Sequence, residues 1–139
     1  MIANKEVVKN LIPQKSPFVM VDELLVYTEN SILTQFTVVE NNIFTKNNVF
    51  VESGIIEHMA QSIALHTGYQ FYLLNKPAPT GYIGSIKSIE ISRLPKLTEI
   101  LKTSVSIIQE FMGITLVQIE VKINDELIAA GQMKTVLAK

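Results

Sequence analysis

The chain contains no cysteine. Disulfides, thiolate catalysis and thiolate-ligated metals are therefore excluded by composition. Histidine is nearly absent too: His58 and His66 are the only two, and no H-x-x-x-H or H-E-x-x-H spacing occurs, so no metal site is expected. Nor does charge of one sign dominate. Twelve Lys and Arg against 13 Asp and Glu leave a formal charge of -1, and the scattered lysines form no basic stripe of the kind a phosphate backbone requires. Nucleic acid is not an expected partner. Long uninterrupted apolar runs are also missing. The most apolar long stretch, residues 54–74, carries Glu57, His58, Gln61 and His66, so it reads as a buried globular helix and not as a membrane span. The opening MIANKEVVKNLIP is broken by Lys5, Glu6 and Lys9 and reads as neither signal peptide nor anchor. A cytoplasmic protein is the expectation.

What is present fits one domain, residues 1–139, with no internal repeat, low-complexity tract or linker. An apolar fraction of 47% beside a charged fraction of 18% is rich for a lone soluble domain. It implies apolar surface buried against another chain, and hence an oligomer.

Proline and glycine punctuate short elements. Residues 5–12 suit a short amphipathic turn ended by Pro13. Residues 18–28 and 31–39 are β-rich and separated by Glu29-Asn30, which suggests a hairpin. Residues 40–52 read as an irregular polar loop. Ser53 suits the N-cap of the helix that follows. Within it Ile55, Ile56, Met59, Ala60, Ile63 and Ala64 recur at the spacing of one apolar face. The helix should end near Tyr72, before the breaker NKPAPTG at 75–81. Strand signals fill the remainder at 81–92, 98–110, 114–123 and 126–137. In ITLVQIEVKI, Val117, Ile119, Val121 and Ile123 fall on one face, and Gln118, Glu120 and Lys122 on the other. Asn124-Asp125 suits the tight turn into the last strand. Two strands, one long helix and further strands suggest an antiparallel sheet covered on one side by a single helix.

At this point four segments, in order, carry a resemblance. LIPQKSPFVMVDELL at 11–25, GIIEHMAQSIA at 54–64, IGSIKSIEISRLPKLTE at 83–99 and NDELIA at 124–129 together resemble the 3-hydroxyacyl-carrier-protein dehydratases of the FabZ and FabA group over nearly the whole chain. In that family a proline-flanked PF segment leads into the first strand and the central helix bears an E-x-M-A-Q signature. A G-I-x-x-x-x-F-x-R-P-V-x-P-G-D strand follows, and a DGE-like turn joins the last two strands. The resemblance implies the α+β hotdog fold: one long central helix wrapped by a curved antiparallel sheet of five or six strands. Such chains pair edge to edge into a dimer with a narrow acyl tunnel at the subunit interface. It also implies a substrate carried on the phosphopantetheine of an acyl carrier protein, with no cofactor of the enzyme's own.

Dehydrating a 3-hydroxyacyl thioester removes a proton from C2 and expels the C3 hydroxyl as water. A base, an acid and donors to the thioester carbonyl each lower the barrier. In the family a loop histidine, in a segment like HFPGHP, shares the proton work with a helix carboxylate of the partner subunit. Glu57 matches that carboxylate, though it could instead cap the helix or pair with a lysine. Gln61, one turn on, can orient Glu57 through its amide or bond to backbone. Gly54 would let a thioester carbonyl approach the helix N-terminus, or simply open the helix. His58, about 100° around the helix from Glu57, supports catalysis or packs in the core; His66, on the opposite face from Glu57, reads as structural. Lys87, Arg93 and Lys96 either meet an acidic carrier protein or are merely solvated.

The family histidine is missing. The segment that should carry it, NNIFTKNNVFVES at 41–53, contains no imidazole, and Glu52, Ser53 and Gly54 stand where a proline-glycine pair is usual. The departure resembles a subgroup without this histidine, including dehydratase-like proteins linked to aryl-polyene and related carrier-protein pathways. Three readings follow. Glu57 could act alone or with water. The chain could form a heteromer with a second dehydratase-like chain, which supplies the histidine or which this chain, itself silent, stabilises. Or the carboxylate could activate water in a hotdog acyl thioesterase.

Overall fold

The structure is a computed structural model describing residues 1–138. A one-turn helix α1 (Lys5–Val8) precedes strands β1 (Glu23–Thr28) and β2 (Ser31–Thr37) and a small hairpin of β3 (Thr45–Lys46) and β4 (Val49–Phe50). The long helix α2 (Glu52–Leu73) follows, then β5 (Gly81–Ile91), β6 (Ile100–Phe111), β7 (Ile114–Ile123) and β8 (Glu126–Leu137). The six long strands form one antiparallel sheet in the order β1-β2-β6-β7-β8-β5, curved around α2. This is the hotdog arrangement the resemblance implied.

Alternation along the strands builds the core. Val117, Ile119, Val121 and Ile123 of β7 are all buried, as are Leu101 and Val105 of β6 and Ile32 and Phe36 of β2. They meet Ile55, Met59, Ile63 and Leu65 of α2. Tight turns set the registers. Asn124 and Asp125 both adopt positive φ between β7 and β8, the conformation a two-residue hairpin turn demands.

Three local expectations are corrected. The loop at 40–52 contains the β3–β4 hairpin, because Asn47 and Asn48 take the same left-handed turn. The N-cap is Val51 and not Ser53: β4 delivers the chain straight into the helix, and Gly54 and Ile55 donate their N–H groups to the Val51 carbonyl. Strand β1 begins at Glu23 and not at 18, because residues 18–20 bond to side chains of α2 and not to a neighbouring strand.

The two sheet edges differ. At β1, Ile2 and Ala3 donate to the Leu24 carbonyl and Ala3 accepts from Leu24 N–H, covering part of the edge. At β5, eleven residues long, only β8 is paired among the described residues. Its Ile83 and Ile86 are exposed.

Candidate active site

Helix α2 has two working sides, and hydrogen bonding decides which residue faces where. Toward the sheet it buries polar groups as well as apolar ones, each satisfied. His58 is fully buried; its Nδ1 donates to the Met20 carbonyl at 2.6 Å and its Nε2 accepts from the Thr103 hydroxyl at 2.7 Å. Ser62 donates to the His58 carbonyl and accepts from Thr34, both at 2.9 Å. This network lets the helix bury polar side chains without leaving a donor or acceptor stranded. Burial pushes the His58 imidazole down to about 4, opposed by its bond to Met20, so the ring is neutral at pH 7.

The other side carries Glu57, which lines a cavity of about 210 Å³ together with Ala60, Ala64 and Thr67 of α2, Ile83 of β5 and Thr135 of β8. Among the described residues Glu57 is the sole charged one in that lining, and it forms no ion pair. Gln61 holds it. The Gln61 Oε1 accepts from Met20 N–H at 2.6 Å, while Nε2 donates to the Phe18 carbonyl at 2.8 Å and to Glu57 Oε1 at 3.1 Å. The two backbone bonds fix which way the amide points, so the donor that reaches Glu57 is imposed by the fold. The expected pairing of Gln61 with Glu57 and its bonding to backbone both occur, and the second enforces the first.

Other candidates fall elsewhere. His58 does not line the Glu57 cavity; both ring nitrogens are consumed in the core, so a supporting proton-transfer role is corrected to a structural one. Gly54 is not open to a ligand either. A Cβ there would stand 2.6 Å from the Phe50 ring and 2.8 Å from Phe44 Cβ, and the Gly54 N–H is already given to Val51. Its lack of a side chain admits the β3–β4 hairpin onto the helix. His66 donates to the Thr28 carbonyl at 2.9 Å and stacks on Tyr27, as a structural histidine would. Arg93 is engaged by Glu99 in a two-pronged ion pair and by Glu126, so it joins the β5–β6 loop to the β7–β8 turn and is not a free cation awaiting an acidic partner. A side chain that sequence reasoning passed over, Gln14, lines the same cavity as Glu57; its one signal was its place inside the family-like segment IPQKSP. No group of three or more His, Asp or Glu side chains among the described residues is arranged to hold a metal ion, and no described helix is long and apolar enough to cross a membrane.

A long helix wrapped by one antiparallel sheet, with a half-buried carboxylate beside a largely apolar cavity, defines a protein of the hotdog class. Residues 6–139 match the family model of the ApeP-like proteins, described as ApeP dehydratase, and the chain belongs to that family. No curated protein matches it in sequence. Among solved structures it is similar to the dehydratase heterocomplex ApeI:P from Xenorhabdus doucetiae, at 15% identity and TM-score 0.88, covering 95% of this chain and 91% of that one. It is similar as well to the PaaI protein of the phenylacetic acid degradation operon of E. coli, at 11% identity and TM-score 0.68, covering 82% and 81%. A hypothetical thioesterase with coenzyme A from Streptococcus pneumoniae TIGR4 is a third, at 10% identity and TM-score 0.67, covering 84% of each chain. At these identities the likenesses are of fold.

Proposed function

We propose that this chain takes part in dehydrating 3-hydroxyacyl thioesters delivered on the phosphopantetheine arm of an acyl carrier protein, with Glu57 as the acid/base group. The observation that carries the reading is the placement of Glu57: one carboxylate, held by Gln61, in the wall of a cavity that is otherwise uncharged among the described residues and is bordered by β5. A greasy slot with one proton-handling group suits an acyl chain whose reacting carbons must stop at a fixed point. Protonated, Glu57 hands a proton to the departing C3 hydroxyl; the pair of electrons from the broken C2–H bond forms the double bond.

A second proton-handling group must take the C2 proton, and among the described residues no other titratable side chain lines the cavity except Tyr82. We assign the missing base to another subunit lying along the β5 edge. Two features support this. Among the described residues the edge has no partner beyond β8 and bears exposed isoleucines, and the structurally similar ApeI:P is a heterocomplex. A heteromer with a dehydratase-like chain that retains its histidine completes the site; a homodimer leaves Glu57 to work with water.

Dehydration of a 3-hydroxyacyl carrier-protein substrate is to be followed for the purified chain, alone and with such a partner. Glu57→Gln keeps the shape and the Gln61 contact but removes the proton, and should lower the rate by on the order of a hundredfold or more. Equal rates for wild type and variant would instead make this chain a stabilising subunit.

A further inference from the structure

Two side chains of α2 grip one residue from both ends. His58 and Gln61 stand three positions apart, so they project from neighbouring points of the helix. The His58 Nδ1–H donates to the Met20 carbonyl at 2.6 Å, and the Met20 N–H donates to Gln61 Oε1, also at 2.6 Å. Both backbone polar groups of Met20, itself fully buried, are thus spent on α2.

What this means for Glu57 turns on the shape of an amide. The oxygen and nitrogen ends of a carboxamide are alike in size, so packing alone lets Gln61 flip, and its hydrogen-bond partners choose the end offered to Glu57. A flipped amide would turn its oxygen toward a carboxylate. Two contacts oppose the flip: Nε2 donates to the Phe18 carbonyl at 2.8 Å, and Oε1 accepts from Met20 N–H. The second lasts only while Met20 keeps its place, and His58 fastens the other end of that residue. The imidazole is itself held, by the Thr103 hydroxyl at 2.7 Å and by the Phe36 ring, whose centroid lies 5.5 Å away. A line of contacts therefore runs from the core through His58, Met20 and Gln61 to Glu57 Oε1, its last step the 3.1 Å bond from Gln61. Inside a protein each member of such a network restricts the next.

We infer that His58 is a positioning residue for the reaction proposed above: acting through Met20 and Gln61, it keeps a carboxamide N–H turned toward Glu57. The inference rests on that reading of Glu57. His58 touches no substrate and moves no proton; its contribution is to the direction of a bond two residues removed from it.

The test follows dehydration of the 3-hydroxyacyl carrier-protein substrate by the full chain, alone or with its partner chain, in whichever assembly is active. Two replacements separate the two ends of the imidazole. In His58→Asn the side-chain amide N–H falls near the place of Nδ1, so the grip on Met20 is kept and the Thr103 contact is lost. His58→Gln reaches out to Thr103 instead and leaves the Met20 carbonyl without its donor. Each gives up one buried hydrogen bond, so the two melting temperatures should fall alike. With rates read where circular dichroism shows every variant folded, kcat should fall by about tenfold in His58→Gln at unchanged KM and stay within about twofold of wild type in His58→Asn. In a Glu57→Gln background His58→Gln should cost no further rate, because a residue acting through Glu57 has nothing left to position. Equal kcat in the Asn and Gln variants overturns the assignment and makes His58 a packing residue, as does a further loss in the double variant. Thr103→Val, which keeps the imidazole and its bond to Met20, decides the matter if neither replacement folds: wild-type kcat supports the assignment and a lowered one overturns it. If Glu57→Gln alone matches wild type, or no assembly is active, the reading of Glu57 fails and the positioning role falls with it.

Discussion

Protonating His58 places a charge inside a core that water does not reach and reverses its bond to the Thr103 hydroxyl, because Nδ1 already donates to Met20 and Nε2 is the acceptor in the neutral ring. The sign of the resulting pH dependence follows. The unfolded histidine binds its proton near its ordinary value of 6.5, the folded one only near about 4. The unfolded chain thus holds more protons within that window. Stability from this residue is complete above pH 6.5 and is lost as pH falls toward 4, by on the order of 3 kcal/mol in all. Burial pulls His66 down as well, which acts in the same direction. Denaturant unfolding at pH 7 and pH 5 measures the loss; a midpoint that does not move would show that His58 is free to titrate. Thr103→Val makes a companion case. It strands Nε2 without a donor and should cost about 1–3 kcal/mol, with no effect on the Glu57 cavity, which Thr103 does not line. At this scale Glu57 and Gln61 were legible, since one helical turn separates them and that spacing survives in any helix. The role of His58 was not, because its partners lie 38 and 45 residues away and nothing local announces them.

Helix α2 and the segment before β1 show how an element is placed by what it touches. Gly68 sits in the helix interior, where Gly→Ala ordinarily stabilises by about 1 kcal/mol. Here the new Cβ would run into the Leu11 carbonyl, and moving backbone costs about 1–3 kcal/mol. Gly68→Ala should therefore destabilise, and because the displaced segment carries Gln14, it should also reshape the cavity. Chemical denaturation with ligand titration reads both effects; a stabilised variant would show the crossing to be looser. The same logic explains which elements pattern alone could read. Strands with clean alternation, such as β7, and the Asn124-Asp125 turn were plain from sequence because their signals are local. Residues 18–20 look like strand, but the backbone groups of Phe18 and Met20 are spent on Gln61 and His58, and only at Asp22 does a backbone N–H reach β2, at Gln35. Competition from those partners decided where β1 starts.

For the molecule as a whole, the open question is what lies along β5. A long edge, unpaired among the described residues and with exposed Ile83 and Ile86, the latter 48% exposed, is a template for another strand. Ile86→Lys places a charge there and should shift the protein to a smaller assembly, with little change in the fold of each chain. Light scattering on a sizing column reports the mass, and an unchanged mass would move the interface to another surface. The sequence by itself determined the kinds of element, their order, the oily composition and the carboxylate–amide pair on α2, because each of these is set by neighbours within a turn or a strand. Only the tertiary structure decided that His58, Gln61 and Ser62 of the helix are buried and bonded, that Gly54 is closed off by Phe50, and that Gln14 shares a cavity with Glu57. Those outcomes depend on contacts between residues far apart in the chain, whose hydrogen bonds and volumes must be satisfied together before any one of them has a meaning.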